Sequence, residues 1–489
     1  MSLGIYGSSG TPRLYTMVTT RKLALVYFDG QSASLTALGT LDSQMALLQN
    51  EFVGNPSENV VYDEDQRALD MCALIQDLNL DGIIRMNAGF EVMICNYVEA
   101  RVIQVYSTNV TVPGNEDREN DPTLPQDPNR EPPLGFGNIY AAQNSWEWIR
   151  SCAWHYGTSH TDGSSKMESR VELDLCSFIS YYDPSLRSLS GRHQGELGDS
   201  RKFQGGWGLR RGHRLSNISK EDVATVKSWL KDSAKAHNLS SHRRCSGVNW
   251  QALIETITDQ HRTRAREILA AMKGIVPTVD DINLVIETLH KLSHAILYSY
   301  LQYQSTANVS AGITRNLTIT RCSSIYTEHL DPSSLNRFEM LIKDSIHVVM
   351  LELCSWEWDL FEWSERHTTN LLDPHTTPSN YTDEGQLVHE FKDMIVRASS
   401  IMEWIGWDNW HDCGRKCEPN ELCYIPMWPV IFAPGKNQGG LYVDDPQTEE
   451  EISEFWRPKC LNRTQFDKGG GRAREPSHRL PKVPVDPLH

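Results

Sequence analysis

The chain has 489 residues, 39% of them hydrophobic and 22% charged, with a net charge of −16. That composition describes a folded globular protein able to bury a sizeable core. The acidic balance excludes nucleic-acid binding over a broad basic face, and no apolar run reaches the roughly eighteen residues that a membrane-spanning helix needs. The one dense basic run, Arg210-Arg211-Gly-His213-Arg214, reads as a solvated loop.

The first strong element is Leu23 to Phe28, which reads as a buried strand running into the polar turn Asp29-Gly-Gln-Ser32. A polar turn and a helix over Leu41 to Leu48 follow, then a longer helix over Tyr62 to Leu78, whose first turn carries Asp63, Glu64 and Asp65. Ile83 to Met86 and Phe90 to Tyr97 read as a hairpin about Asn87-Ala-Gly89, and Arg101 to Val112 as the next strand of a meander. Residues 113–135 are rich in Pro, Asn, Asp and Glu and form a linker or insert that buries nothing. Val171 to Tyr182 reads as a buried strand or strand pair, and Arg187 to Arg214 as a Gly-rich loop.

From there the pattern turns helical. Ser219-x-x-Asp222 caps one helix. Trp250, Leu253, Ile257, Ala265, Ile268 and Met272 trace a second, stopped by Gly274 and Pro277. Thr278-x-x-Asp281 opens a third with the stripe Ile282, Val285, Leu289, Leu292 and Ile296. Asn336 to Arg366 and Asp383 to Trp410 read as two more helices. The expected fold is α+β, or α/β, at the N-terminal side, with a large mainly helical second half and a disulfide-stapled C-terminal segment. The expected divisions are 20–112, the linker 113–135, a mixed region 136–215, a helical region 216–412, a Cys-rich segment 413–462 and a disordered tail 463–489.

Chemistry-bearing residues are sparse. A strand ending in Asp-Gly resembles the haloacid-dehalogenase phosphatases, whose nucleophilic aspartate stands two residues before a second aspartate. Here that position is Tyr27, which removes the mechanism. Asp29 remains as one carboxylate at a strand end, where α/β proteins place their chemistry. Glu91, Glu172 and Asp174 are the other candidate catalytic carboxylates, since two such groups across a cleft suit glycoside hydrolysis. Glu287-x-x-His290-x-x-x-His294 has metal-ligand spacing but falls opposite an apolar stripe, as a solvated face does. Trp404, Trp407 and Trp410 read as core. Neither a Gly-x-Ser-x-Gly elbow nor a P-loop is present, and no metal or other cofactor is called for. His155 and His160 stand near Ser159 in sequence only.

Location is more legible than activity. Asn109, Asn217, Asn238, Asn308, Asn316, Asn380 and Asn462 each open an Asn-x-Ser/Thr sequon, where chance gives roughly two or three. Eleven cysteines add to this. Cys413, Cys417, Cys423 and Cys460 offer only one close pair where zinc sites have two, so they are expected to form disulfides. The expectation is an extracellular or secretory-lumen protein, with a signal or membrane anchor missing from this chain and a carbohydrate or cell-wall ligand. The oligomeric state is left open.

Tyr27-Phe-Asp-Gly-Gln-Ser-Ala33, Arg85-Met-Asn-Ala-Gly-Phe-Glu91, Ser180-Tyr-Tyr-Asp-Pro-Ser185 and Cys423-Tyr-Ile-Pro-Met-Trp-Pro429 stand in this order. Together they resemble a family of large uncharacterised secreted or membrane-anchored glycoproteins of filamentous ascomycete fungi. The resemblance runs from about residue 22 to residue 460. It implies a signal or anchor ahead of the Tyr-Phe-Asp-Gly strand and brings no activity with it. Two readings follow: a glycoprotein with a structural or binding role, or a hydrolase using Asp29 with Glu91, Glu172 or Asp174.

Overall fold

The computed structural model describes residues 13–30, 32–33, 42–49, 64–86, 90–109, 170–189, 215, 218–238, 245–301, 311–372, 384–407, 413, 415–424 and 459–462. The chain divides into two compact units. One comprises Met1–Glu168, Gly205–Ala224 and Asn409–His489; the other comprises Ser169–Gln204 and Thr225–Asp408. The expected mixed N-terminal part and mainly helical remainder are both present.

In the first unit, β1 (Arg13–Thr19) pairs antiparallel with β5 (Val102–Asn109) as a two-stranded ribbon. A separate sheet has the order β2 (Leu25–Tyr27), β3 (Gly82–Met86), β4 (Phe90–Ile94). β2 runs parallel to β3, and β3 antiparallel to β4. A parallel pair requires a crossover, and helices α1 (Asp42–Gln49) and α2 (Glu64–Asp77) lie within it. Gly82 admits β4 at close range, since a Cβ there would stand 2.1 Å from the Met93 carbonyl oxygen. Two ties fix the frame. Arg21 donates to both Asp81 carboxylate oxygens, and the Ala24 N–H donates to the same group at 2.9 Å, which sets β2 beside the start of β3. Cys72 of α2 is bridged to Cys95 just beyond β4.

Two expectations for this part are corrected. The strand over Leu23 to Phe28 is three residues long and half-buried, because β2 is a sheet edge with a neighbour on one side only. The buried central strand is β3, whose first four residues are all buried. The three-strand meander does not form either: β5 leaves β4 to pair with β1, a strand the sequence pattern did not announce.

Helix α3 (Lys220–Asn238) is capped by Ser219, whose Oγ accepts from the Asp222 N–H at 3.1 Å. The second unit is built from α4 (Trp250–Lys273), α5 (Val279–Leu297), α6 (Ala311–Ser324), α7 (Arg337–Leu372) and α8 (Glu384–Trp404). Helix α7 packs against all four of the others, and their shared core centres on Trp250, Ile286, Leu353, Trp356, Trp363 and Phe391. Thr278 caps α5 by accepting from the Asp281 N–H, as its sequence predicts. Helix α6 carries no helix signal. Its run of Ile and Thr has weak helix propensity, and packing on α7 with the Cys322–Cys354 bridge supplies what propensity lacks. Val171 to Tyr182 is not a strand. It holds a 3₁₀ turn, Leu175–Ser177, and a bridge from Cys176 to Cys245.

The start of α7 is a reciprocal cap. Asn336 Oδ1 accepts from the Phe338 and Glu339 N–H groups at 2.9 and 3.0 Å, while Glu339 Oε2 accepts from the Asn336 N–H at 3.1 Å. Glu339 is buried, and it also accepts from the Ser246 hydroxyl and from Trp250 Nε1 at 3.1 Å. Burial pushes its carboxyl up, but the donors from Ser246, Asn336 and Trp250 outweigh burial and hold it below the usual carboxylate range. A depressed folded value gives stability that is present above the unfolded value and is lost as pH falls through the folded one. Glu339→Gln is therefore expected to be less stable than the parent at neutral pH, with the gap closing in acid. Urea unfolding at a series of pH values measures this.

Candidate functional site

The turn after β2 is the best-organised polar site of the first unit. Gly30 sits at φ 64°, in the left-handed region that favours glycine, and lets the chain fold back. Ser32, fully buried, donates to the Phe28 carbonyl at 2.8 Å and accepts from the Met86 N–H at 3.2 Å. The Ala33 N–H donates to the Met86 carbonyl at 2.9 Å, and Gln44 of α1 donates to the Ser32 carbonyl at 2.6 Å. These bonds hold the turn between the ends of β2 and β3 and the first turn of α1.

Two carboxyl groups meet electrostatically there. Asp29 lies at the outer edge of the turn, and Asp42, buried, opens α1. Loss of water around Asp29 pushes its carboxyl up, and the Asp42 charge pushes it further, against a backbone hydrogen bond that favours ionisation. Tyr27 is pushed up in turn by burial and by Asp29. The side-chain oxygen Oε1 of the buried Gln44 has no hydrogen-bond partner among the described residues. Asp42 belongs to the helix predicted over Leu41 to Leu48 but was not among the candidate carboxylates. Its place at the start of a helix facing a strand end was the available signal.

The other predicted carboxylates do not join this pair. Glu91 stands directly across from Arg85 in the β3–β4 ladder and is ion-paired with it, half of its surface open. Glu172 and Asp174 lie in the other unit, both exposed, with Asp174 accepting from the Ser177 hydroxyl at 2.9 Å. The expected solvated face on α5 is corrected: His290 and His294 stack on each other and on Phe361 of α7, so α7 covers that side of the helix. Burial lowers His290 first, with Glu365 opposing and His294 adding. Glu287 is open and pairs with Lys291 at 2.6 Å. Trp407 packs against the helical core.

Among the sequon asparagines, Asn109 and Asn316 are exposed and Asn462 is half-buried, while of Asn238 only the backbone is described. Asn217, Asn308 and Asn380 lie outside the described residues, as do the linker 113–135, His155, Ser159, His160, the 210–214 basic run, Trp410, Gly435 to Asn437 and the tail 463–489. Cys413 is bridged to Cys423 and Cys417 to Cys460.

A second polar group lies in the helical core. His261 of α4 and Glu357 of α7 are fully buried and joined Nδ1 to Oε1 at 2.8 Å. Tyr326 stands edge-on to the His261 ring and is raised by burial, by Tyr300 and by the Glu357 charge. Each residue interrupts an apolar stripe at a stripe position: His261 falls between Ile257 and Ala265, and Glu357 between Cys354 and Leu360. That interruption was the sequence signal, and it was passed over.

A family model described as the YPL277C N-terminal domain matches residues 7–124, which contain the β2–β4 sheet and the Asp29 turn. "Uncharacterized protein YOR389W" of Saccharomyces cerevisiae is 33% identical over 487 residues, covering 93% of this chain and 71% of that protein. The chain belongs to the YOR389W family. That family is fungal, and YOR389W itself is a yeast protein. No solved structure matches. Neither name carries an activity.

A folded-state value raised above the unfolded one stabilises the protein in acid, and the benefit is lost as pH rises through the folded value. Asp29→Asn removes the unfavourable charge. It is expected to resist urea better than the parent at neutral pH, with the two converging in acid. His261→Ala is expected to destabilise the helical unit by about 3–5 kcal/mol, because it strands a buried carboxylate. Replacing both His261 and Glu357 by leucine is expected to recover most of that loss in the same denaturation assay.

Proposed function

We propose that this protein is a disulfide-cross-linked glycoprotein of the secretory pathway or the cell exterior, with a binding or structural role. The observation that carries this reading is the state of the cysteines. Ten of the eleven are paired in five bridges with Cα–Cα distances from 5.4 to 6.0 Å, and the eleventh, Cys152, lies outside the described residues. Such bridges form and persist in oxidising compartments. The exposure of Asn109 and Asn316 supports glycan attachment, since a modified asparagine has to leave room for a bulky polar group. No helix among the described residues is long and apolar enough to cross a membrane, so membrane attachment would come from an anchor elsewhere.

A binding role is favoured over catalysis by how the carboxylates are used. Arg85 holds Glu91, and local hydroxyl donation satisfies Asp174. One observation favours the hydrolase reading: Asp29 is held protonated to higher pH beside a second carboxylate, as a general acid requires. In that reading Asp29 donates the proton and Asp42 is the charged partner. A carbohydrate of the cell wall is the ligand proposed in both cases.

The test is expression behind a secretory leader in a eukaryotic host. Endoglycosidase treatment is expected to increase gel mobility, and alkylation without reduction to leave the ten bridged cysteines unmodified. An unshifted band, or wholesale alkylation, overturns the reading. Binding to insoluble cell-wall glycan, with no release of reducing sugar, supports a binding role. Sugar release that Asp29→Asn abolishes supports the hydrolase.

A further inference from the structure

The four C-terminal cysteines are more closely grouped than two independent bridges require. Strand β6 (Glu421–Tyr424) pairs antiparallel with β7 (Lys459–Asn462), and Cys423 stands directly opposite Cys460 in that ladder. Directly opposed residues place their side chains on one face of a sheet. Yet these two are not bridged to each other. Each is bridged to a cysteine of the loop that precedes β6, Cys423 to Cys413 and Cys460 to Cys417. The Cys-x₃-Cys loop therefore lies over the cysteine-bearing face of the ladder. The sulfurs of Cys413, Cys417 and Cys460 all lie within 4.8 Å of one another, and Cys423 is bonded to the first of them.

That grouping answers the objection that spacing raised against zinc. The loop supplies one close pair, and the β-ladder supplies the second from residues 37 positions apart in sequence, 423 and 460. A zinc–sulfur bond of about 2.3 Å in tetrahedral geometry puts the sulfurs roughly 3.8 Å apart. Three of the four sulfurs already lie within 4.8 Å of one another, and the fourth, on Cys423, is held to that group through its bridge to Cys413. Between the loop cysteines, Arg415 pairs with Glu421 at 2.9 Å and so ties the loop to β6.

We propose that Cys413, Cys417, Cys423 and Cys460 form a tetrathiolate zinc site in the reduced chain, so that zinc and the two disulfides are alternative staples of one segment. The chemistry balances with a dithiol reductant. Each bridge takes two electrons and two protons from one dithiol, which becomes a cyclic disulfide, and four cysteine thiols result. Zinc(II) then replaces their four protons, which pass to the buffer, and no further redox step occurs. This inference goes beyond the proposed location and does not depend on it.

The experiment uses the full chain, reduced with a dithiol, freed of it under anaerobic conditions and titrated with cobalt(II). The expected result is one equivalent bound, with the visible bands and sulfur-to-cobalt charge transfer of a tetrahedral tetrathiolate, bleached by zinc. Zinc is then expected to protect Cys413, Cys417, Cys423 and Cys460 from alkylation, mapped by peptide mass spectrometry, while Cys72 and Cys95 react. Cys417→Ser is expected to abolish the tetrathiolate spectrum and Cys95→Ser to retain it. A chain that binds no cobalt, a spectrum that survives Cys417→Ser, or zinc protection that is not confined to those four cysteines overturns the proposal. The alkylation map on the unmutated chain decides the matter even if Cys417→Ser fails to fold.

Discussion

Helix α7 imposes the constraint that the helical unit has to meet. At 36 residues it is about 54 Å long, and apolar residues occur on more than one of its sides. Tertiary packing, not propensity, stabilises such a helix, so α4, α5, α6 and α8 are all needed to cover it. The polar groups this cover buries must then find partners within the bundle. Glu339 finds Ser246 and Trp250, Glu357 finds His261, and Asp359 takes both Arg315 and Arg397. These partners come from α4 and the residues just before it, from α6 and from α8, so the contacts that satisfy α7 also fix where its neighbours sit. The same cover closes over His290 and His294, which is why a face that is polar in sequence is packed in the fold.

The cross-links act on a different quantity. In the chain-entropy view, each bridge removes freedom from the unfolded chain. For separations from 10 to 69 residues the effect is about 3–4 kcal/mol each. A domain's net stability is on the order of 5–15 kcal/mol, so each bridge is a sizeable share of that small net value. The effect is local. Cys72–Cys95 secures the helix-to-sheet contact behind the Asp29 turn, Cys322–Cys354 secures a helix of weak propensity, and the C-terminal pair secures strands of four residues each. In each place the cysteines stand where apolar burial alone is thin or where the local sequence disfavours the observed structure.

What was legible in the sequence follows from which interactions are local. The helices α4, α5 and α7 were readable because apolar periodicity and capping residues repeat within a few residues of each other. The β3–β4 hairpin was readable for the same reason. The β1–β5 ribbon was not, because its partners are some ninety positions apart and neither strand alternates cleanly. The segment Val171 to Tyr182 misled because an alternating pattern there is overridden by a bridge to Cys245, which no local rule anticipates. For the site, Asp29 could be singled out by its strand-end position, but its partner could not. Asp42 reaches it only through the fold-back at Gly30 and the bonds of Ser32 and Gln44. Of the carboxylates chosen by alternation, Glu91 is taken by Arg85 and Asp174 by Ser177, while Glu172 is exposed in the other unit.

The Asp29 turn is then a place where the fold works against itself. Ser32, Ala33 and Gln44 form a closed set of short hydrogen bonds, and within that set two like charges are held in reach of each other. A surface loop under no other demand would relieve the repulsion with one uncharged residue, at a gain in stability. Retaining both carboxyl groups keeps one of them protonated to higher pH than an ordinary aspartate, and so able to donate a proton or a hydrogen bond that an ionised carboxylate cannot. Clusters of this kind occur where a fold gives up stability for a chemical task. The inner side of this turn is closed, because Gln44 is fully buried, so the exposed side that carries Asp29 and Tyr27 is the one open to solvent.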